Sequence, residues 1–250
     1  MNIAPSVQGV LETMRRHDVK ALLMGGQACV VYGASEFTRD VDFAILADDA
    51  NLEAVAAAMR ELDAVVIAVP PFDAAMLRAG HAVHFRCRAQ VVAGLRVDLM
   101  SQMRGVDAFA LLWERRRILE NGVSVLALPD LVAAKKTQRD KDWPMIRRLV
   151  EADYLARSAA PDPAEIIFWL RESRTPAMIQ ELVARFPSAA AGHLRSAVRA
   201  ACNGAGAESI ADALQAEQAA ERAADAEYWK PLKRQLEQIR HQSPESPGEP

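Results

Sequence analysis

The sequence predicts an α+β protein whose first half holds a sheet with flanking helices and whose second half is all-helical. Up to about residue 128, short apolar runs that end at Gly or Pro alternate with amphipathic helical patterns. From residue 129 the chain is rich in alanine and shows only helical periodicity. We therefore expect an α+β domain over 1–128, a helical C-terminal domain over 129–240 and a disordered tail over 241–250.

The elements follow from local periodicity, taken in chain order. In the first half, apolar or alternating runs predict strands over 20–24, 41–46, 64–69, 81–88, 95–99 and 123–128. Apolar residues three and four positions apart predict helices between them, over 6–17, 27–32, 51–62, 73–78 and 109–116. Pro129 stands where a helix begins, and helices are then expected over 130–139, 144–155, 164–172, 176–185, 188–202, 206–222 and 224–240.

The composition is that of a soluble globular protein and argues against several other classes. The 250 residues are 51% hydrophobic and 25% charged with a net charge of −3, so no overall basic charge indicates nucleic acid or a membrane surface. Cys29, Cys87 and Cys202 form no CxxC pair, which argues against a disulfide framework or a zinc site. Without a signal peptide or an apolar run near about 18 residues, we expect a cytoplasmic protein with no membrane partner.

A glycine pair ends the first expected strand. Gly25 and Gly26 follow the apolar run 21–24 and precede a helical segment that opens with Gln27. Glycine lets the backbone approach a ligand closely, and the free N–H groups at a helix start bind phosphate. A tight turn alone would also account for the pair, so the phosphate site is one of two interpretations.

Two aspartates open the second expected strand. Because side chains alternate along a strand, Asp40 and Asp42 would point the same way while Val41 and Phe43 point into the core. Neighbouring carboxylates repel each other unless a cation lies between them, so a divalent metal site is the first hypothesis. The alternative is a pair of solvent-exposed aspartates at the edge of a strand.

Asp98 is a third carboxylate and lies inside the apolar strand 95–99. A carboxylate buried without a partner is strongly unfavourable, so Asp98 needs a cation or an exposed face. Two arrangements would satisfy it. One is a metal shared with Asp40 and Asp42, and the other is a salt bridge to Arg96 on the same face of the strand.

These three motifs, in this order, resemble the nucleotidyltransferase superfamily with a polymerase-β-like palm. In that family a Gly-Gly or Gly-Ser turn begins a helix, an Asp-x-Asp opens the next strand, and a third carboxylate lies on a neighbouring strand. The likeness covers roughly residues 20–100 and implies a mixed sheet with flanking helices. This chain departs from the family at Gln27, where a small hydroxyl residue usually follows the glycines.

The segment 128–142 (LPDLVAAKKTQRDKD) looks like the helix after the palm in the stand-alone bacterial branch of that superfamily. This branch includes minimal nucleotidyltransferases and abortive-infection or type IV toxin–antitoxin enzymes, whose helix carries Lys, then Arg, then Lys-Asp. The stretch 115–148 holds nine Lys or Arg against four acidic residues. Such an excess suits an anionic ligand, although a basic run is alternatively a solvated helix face.

The resemblance implies metal-dependent transfer of a nucleoside monophosphate from a nucleoside triphosphate (NTP) to a hydroxyl of tRNA, protein or a small molecule. Asp40, Asp42 and Asp98 would be the catalytic residues and would hold two Mg²⁺ ions, with Asp98 accepting or orienting the proton of the attacking hydroxyl. The residues expected at the phosphates are Gly25, Gly26, Gln27, Arg39, Lys135, Lys136 and Arg139. The toxin-type branch further implies a cognate antitoxin as a partner.

Two other interpretations stay open. The chain is alternatively a non-catalytic nucleotide-binding or antitoxin-like module of the same fold, or a resistance enzyme acting on an aminoglycoside-type molecule. His81 and His84 lie three apart in an expected strand and would face opposite sides, so a structural or surface role is expected for each.

Overall fold

The computed structural model describes residues 4–34, 38 and 40–242. Within them the chain has an α+β fold with a seven-stranded mixed sheet and a helical C-terminal stretch, so the expected fold class is confirmed at this level. The strands are β1 Ala21–Met24, β2 Asp40–Ile45, β3 Ala64–Val66, β4 Val83–Cys87, β5 Arg96–Met100, β6 Arg117–Ile118 and β7 Ser124–Val125. None of the helices among these residues has the length and apolar character needed to cross a bilayer.

The helices occur in two groups along the chain. Those interspersed with the strands are α1 Pro5–Arg16, α2 Gly25–Val31, α3 Asp49–Glu61, α4 Ala74–Arg78, α5 Phe109–Glu114 and α6 Leu128–Ala134. Those that follow are α7 Asp142–Arg157, α8 Pro163–Glu172, α9 Pro176–Arg185, α10 Pro187–Ala191, α11 Ser196–Cys202 and α12 Ala207–Gln242.

The chain forms two compact units that do not follow the sequence order. The first contains the described residues of Met1–Val31, Glu36–Leu131 and Glu227–Pro250, and the second those of Tyr32–Ser35 and Val132–Ala226. The end of α12 therefore belongs to the unit that holds the sheet. The sequence predicted a division after residue 128. It did not indicate that the C-terminal end of the chain belongs to the first unit.

The sheet has the strand order β3-β4-β5-β2-β1-β7-β6. Strand β2 pairs with β5 in parallel and β1 with β7 in parallel, while the other neighbours are antiparallel. In β5 and in the first half of β2, buried residues alternate with polar ones, and Val41, Phe43, Val97 and Leu99 are at most 2% exposed. This alternation places the apolar half of each strand in the core and leaves the other half for polar side chains.

Asn51 connects the first turn of α3 to the sheet. Its side chain accepts from the backbone N–H of Lys20 at 2.7 Å and donates to the carbonyls of Lys20 at 3.2 Å and Leu46 at 2.7 Å. The backbone N–H of Asn51 donates to the Asp48 carboxylate, the N-cap of α3, at 2.7 Å. A buried amide thus holds the start of β1, the end of β2 and the helix start together.

Four of the helices predicted in the second half are wrong in their bounds. The helix expected over 130–139 ends at Ala134, because side chains offer the next backbone groups other partners: Asp225 accepts from the N–H of Gln138 at 2.9 Å. The helix expected over 188–202 divides into α10 and α11 around Gly192. The helices expected over 206–222 and 224–240 are one, because the alanines at the presumed junction favour helix rather than ending it.

Two further differences concern the ends of the sheet and of the chain. The two-residue strand β6 was not predicted, because a segment this short carries no alternation to detect. Helix α12 continues to Gln242, so it includes the first two residues of the expected tail, and 243–250 lie outside the described residues.

Candidate functional site

Alternate residues of three neighbouring strands form one polar surface of the sheet, which we call the polar face. Its members are Asp40 and Asp42 of β2, Arg96 and Asp98 of β5, and His84 and Arg86 of β4. The residues between them point into the core, so the polar side chains are fixed to one side of a rigid sheet.

Strand register sets the neighbours on the polar face. Across the parallel pair β2–β5, Asp42 lies opposite Asp98 and Asp40 lies opposite Arg96. Across the antiparallel pair β4–β5, His84 lies opposite Asp98 and Arg86 opposite Arg96. Asp98 therefore lies beside the Asp-x-Asp pair. The structure brings the three predicted carboxylate residues onto adjacent strands of one face.

Asp98 is held by two basic side chains. Arg96 donates to its two carboxylate oxygens at 2.7 and 2.9 Å, and His84 Nδ1 lies 2.9 Å from Oδ1. The Asp98 side chain is 14% exposed. Burial raises its pKa, but the hydrogen bonds from His84 and Arg96 and their positive charges outweigh burial, so the pKa lies below its ordinary value. Asp98 is therefore a stable anion.

Arg96 is affected by all three carboxylates. Its hydrogen bond to Asp98 raises the pKa of the guanidinium, burial opposes this, and the negative charges of Asp98, Asp40 and Asp42 raise it further. The salt bridge between Asp98 and Arg96, considered from the sequence as an alternative to a metal, is thus present. In this arrangement Arg96 supplies positive charge beside the three acids, and His84 adds a hydrogen bond to Asp98.

The glycine pair adjoins the carboxylates. Gly25 has φ +64°, which favours glycine, and a Cβ placed on it would lie 1.9 Å from Oδ2 of Asp42. A Cβ on Gly26 would meet Thr38 at 2.8 Å. Gln27 donates to the carbonyl of Thr38 at 3.3 Å. Both glycines thus allow the start of α2 to pack directly against Asp42 of β2 and against Thr38.

The predicted basic residues of the second unit lie in a turn between α6 and α7. Lys135 is 3.3 Å from the Asp142 carboxylate, and Arg139 is 3.7 Å from it. Lys136 pairs at 2.9 Å with Glu172, whose side chain is 3% exposed. The expectation that they lie on a helix is wrong. Each of the three has an acidic partner inside its own unit, and their contact with phosphate stays a prediction.

Arg39, the remaining residue expected at the phosphates, lies outside the described residues. Elsewhere in the basic stretch, Arg115 pairs with Asp130 and Asp107 at 2.7 Å, and Arg147 with Glu151 at 2.8 Å. Much of the positive charge that the sequence shows between 115 and 148 is therefore balanced by neighbouring acids.

The polar face suits a hard divalent cation in the kind of donor it offers, since Asp40, Asp42 and Asp98 supply carboxylate oxygens. Among the described ranges, however, no group of three or more His, Cys, Asp or Glu side chains is arranged around one ion position. Asp98 could join such a site only after exchanging Arg96 and His84 for the ion. Asp40 and Asp42 are the residues that would hold it first.

His84 and Arg86 belong to the polar face but were not predicted as site residues. The contact of His84 with Asp98 is compatible with the structural or surface role expected for it. The signal was the alternation in 83–87, where two polar residues interleave with three apolar ones, as in 96–100. His81, by contrast, is 1% exposed and lies 2.8 Å from Gln235 through Nε2, which fits a structural role.

The chain matches no protein-family model. No curated protein is similar enough in sequence to count as a relative.

Proposed function

We propose that this chain is a metal-dependent nucleotidyltransferase that moves a nucleoside monophosphate from an NTP to a hydroxyl acceptor. The observation that carries the proposal is the register of β2 and β5, which sets Asp42 directly opposite Asp98 with Asp40 on the same face. The closeness of Gly25 to Asp42 supports it further, because it brings the start of α2, where helices bind phosphate through backbone N–H groups, beside the carboxylates.

In this reaction the three aspartates and the two glycines would have different functions. Bound Mg²⁺ would neutralise charge on the entering, leaving and non-bridging oxygens of the phosphoryl group. Asp40 and Asp42 would hold the ion with their oxygens, and Asp98 would complete the site. The turn at Gly25 and Gly26 would orient the β- and γ-phosphates through backbone N–H groups.

The covalent step is an in-line displacement. The acceptor oxygen bonds to the α-phosphorus while the bond from that phosphorus to the bridging oxygen breaks. Pyrophosphate leaves with the electron pair, and the hydroxyl proton passes to a carboxylate oxygen of Asp98. The acceptor is a tRNA end, a protein hydroxyl or a small molecule. A toxin-type role with a cognate antitoxin belongs to the same proposal.

A non-catalytic nucleotide-binding module is the second candidate, favoured by one specific observation. Both oxygens of Asp98 are engaged by Arg96 and one also by His84, so within the described residues no three-carboxylate metal site is preassembled. A module of this kind would bind the nucleotide at the glycine turn and never require Asp98 to exchange its partners.

Radiolabelled transfer separates the two candidates. The protein is incubated with each labelled NTP, Mg²⁺ and either total RNA or cell lysate, and labelled products are resolved on gels. Asp98→Asn should reduce labelling by about 100-fold or more, as loss of a charge-stabilising group does, while NTP binding persists. Asp49→Asn, which neutralises a carboxylate that is 86% exposed, is the matched control and should label normally.

Two results would contradict the proposal. Either the unaltered protein labels nothing with any NTP, which would leave the binding module, or Asp98→Asn labels as well as the unaltered chain. Asp42→Asn serves as the second variant if Asp98→Asn unfolds, with circular dichroism as the check on folding.

A further inference from the structure

Two arginines face each other across β4 and β5. Arg86 lies directly opposite Arg96 in this antiparallel pair, and like charges in that relation are destabilising. Arg96 is compensated by Asp98, but Arg86 is exposed and has no acidic partner among the residues that the structure describes. The polar face therefore carries an uncompensated arginine beside its acids.

The position of the arginines in the sheet indicates what they face. In the strand order β4-β5-β2-β1, the Gly25 turn follows β1 and adjoins the carboxylates from one side. Arg86 and Arg96 adjoin them from the other side, on β4 and β5. If the glycine turn holds the triphosphate, the arginines lie on the side from which the acceptor hydroxyl approaches.

We propose that Arg86 and Arg96 form a phosphate subsite for the acceptor, which is the 3′ end of a polynucleotide. This inference rests on the proposed function, because that function defines the acceptor side. The guanidinium group of arginine binds two phosphate oxygens at once through parallel N–H donors. Strands are about 4.8 Å apart, so a phosphodiester held between β4 and β5 lies about one nucleotide from a hydroxyl near Asp98.

The positive charge of the arginines disfavours a small cationic acceptor. An aminoglycoside is a polycation, and the uncompensated charge of Arg86 would disfavour its approach along β4. The phosphates of a nucleic-acid end would instead supply Arg86 with the negatively charged partner that it does not have among the described residues. The arginine pair thus distinguishes acceptors that the carboxylates alone would not.

Metal-free RNA binding tests the subsite without depending on turnover. The probe is a fluorescein-labelled single-stranded RNA of twelve nucleotides with a free 3′-hydroxyl, followed by anisotropy over a range of salt concentrations. Arg86→Gln should weaken binding about 10-fold and reduce the slope of log affinity against log salt by about 0.7, the value for one phosphate contact. Arg60→Gln, an exposed arginine on α3, is the matched control and should change neither quantity.

The second measurement is NTP binding in the presence of Mg²⁺, followed by calorimetry. Arg86→Gln should bind NTP with the same affinity as the unaltered protein. Weaker NTP binding with unchanged RNA affinity would overturn the inference, because the arginines would then face the donor. Transfer of label to a protein or small molecule without RNA binding would overturn it as well, while leaving the proposed function intact. Arginine-dependent RNA binding without any transfer would contradict the proposed function and, with it, the assignment of this RNA site to an acceptor.

Discussion

Solvent reaches the ion pair between Asp98 and Arg96. The Arg96 side chain is 39% exposed while that of Asp98 is 14% exposed. An ion pair in partial contact with water is much weaker than a buried one, because water screens the charges and rehydrates them when they separate. Under the proposed function, Arg96 would leave Asp98 for a phosphate when a divalent cation takes its place. The pair is compatible with a metal site as well as with a resting arrangement that lacks one.

Gly25→Ala tests the contact between the glycine turn and the carboxylates. The new methyl group would stand in the position of the Asp42 carboxylate, 1.9 Å from Oδ2, and would also occupy a backbone conformation at φ +64°. We expect a loss of about 1–2 kcal/mol in the free energy of unfolding from the backbone alone. We also expect Mg²⁺-dependent NTP binding to disappear, because Asp42 must move. Urea unfolding and calorimetry measure the two effects.

Gly94→Ala is the control for that variant. Gly94 has φ +81° and no heavy atom within 4 Å of a Cβ built on it, so the backbone strain is matched and the displacement of a carboxylate is absent. The two variants should lose similar stability while only Gly25→Ala loses NTP binding. Equal NTP binding by both would show that Asp42 does not need its present position.

At the scale of elements, one side chain holds the strand of the aspartates in place. Asn51→Ala removes three hydrogen bonds to the backbone at the start of β1 and the end of β2, leaving buried groups unpaired. We expect a loss of about 1–3 kcal/mol in the free energy of unfolding. In hydrogen exchange, amides of β1 and β2 should lose protection together.

Asp48→Ala provides the comparison, because it removes only the N-cap of the same helix. Its cost should be about 1 kcal/mol, with the loss of protection confined to the first turn of α3. If both variants affected only α3, the proposed connection between helix and sheet would be wrong.

Much of the sheet could be predicted because its signals are local. Alternation within 40–43, 83–87 and 96–100 reveals strands and the face on which each polar residue lies. The adjacency of Asp42 and Asp98 is different, since strand order depends on contacts between distant segments. Here the resemblance supplied an expectation that alternation alone could not.

The partners of the charged side chains could not be predicted from the sequence. His84 and Arg86 belong to a strand that the sequence indicated, but their neighbours depend on the register of β4 against β5. The run that contains Lys135, Lys136 and Arg139 was expected to be helical, but it forms a turn bound by the nearby Asp142 and by the distant Glu172 and Asp225. Charge composition showed the excess of basic residues, but their partners depend on tertiary structure.

At the scale of the molecule, the first unit is completed by the end of the chain. The segment of α12 from Glu227 onward belongs with the sheet. Leu232 is 9% exposed, and Gln235 lies 2.8 Å from Nε2 of the buried His81. Gly80 allows this approach, since a Cβ there would meet the Tyr228 hydroxyl at 3.3 Å. The sequence predicted a helix over 224–240 but not which element it packs against.

Leu232→Ala should therefore destabilise a region more than a hundred residues earlier in the sequence. Removing a buried leucine side chain leaves a cavity and costs about 2–3 kcal/mol. In hydrogen exchange followed by mass spectrometry, peptides covering 74–81 and 83–87 should lose protection, since they share the unit with Leu232. Glu237→Ala, an exposed position one turn further along the same helix, should leave them unchanged. A loss of protection restricted to α7–α11 would instead mean that the end of α12 supports the helical unit, and that the sheet with its polar face is stable without it.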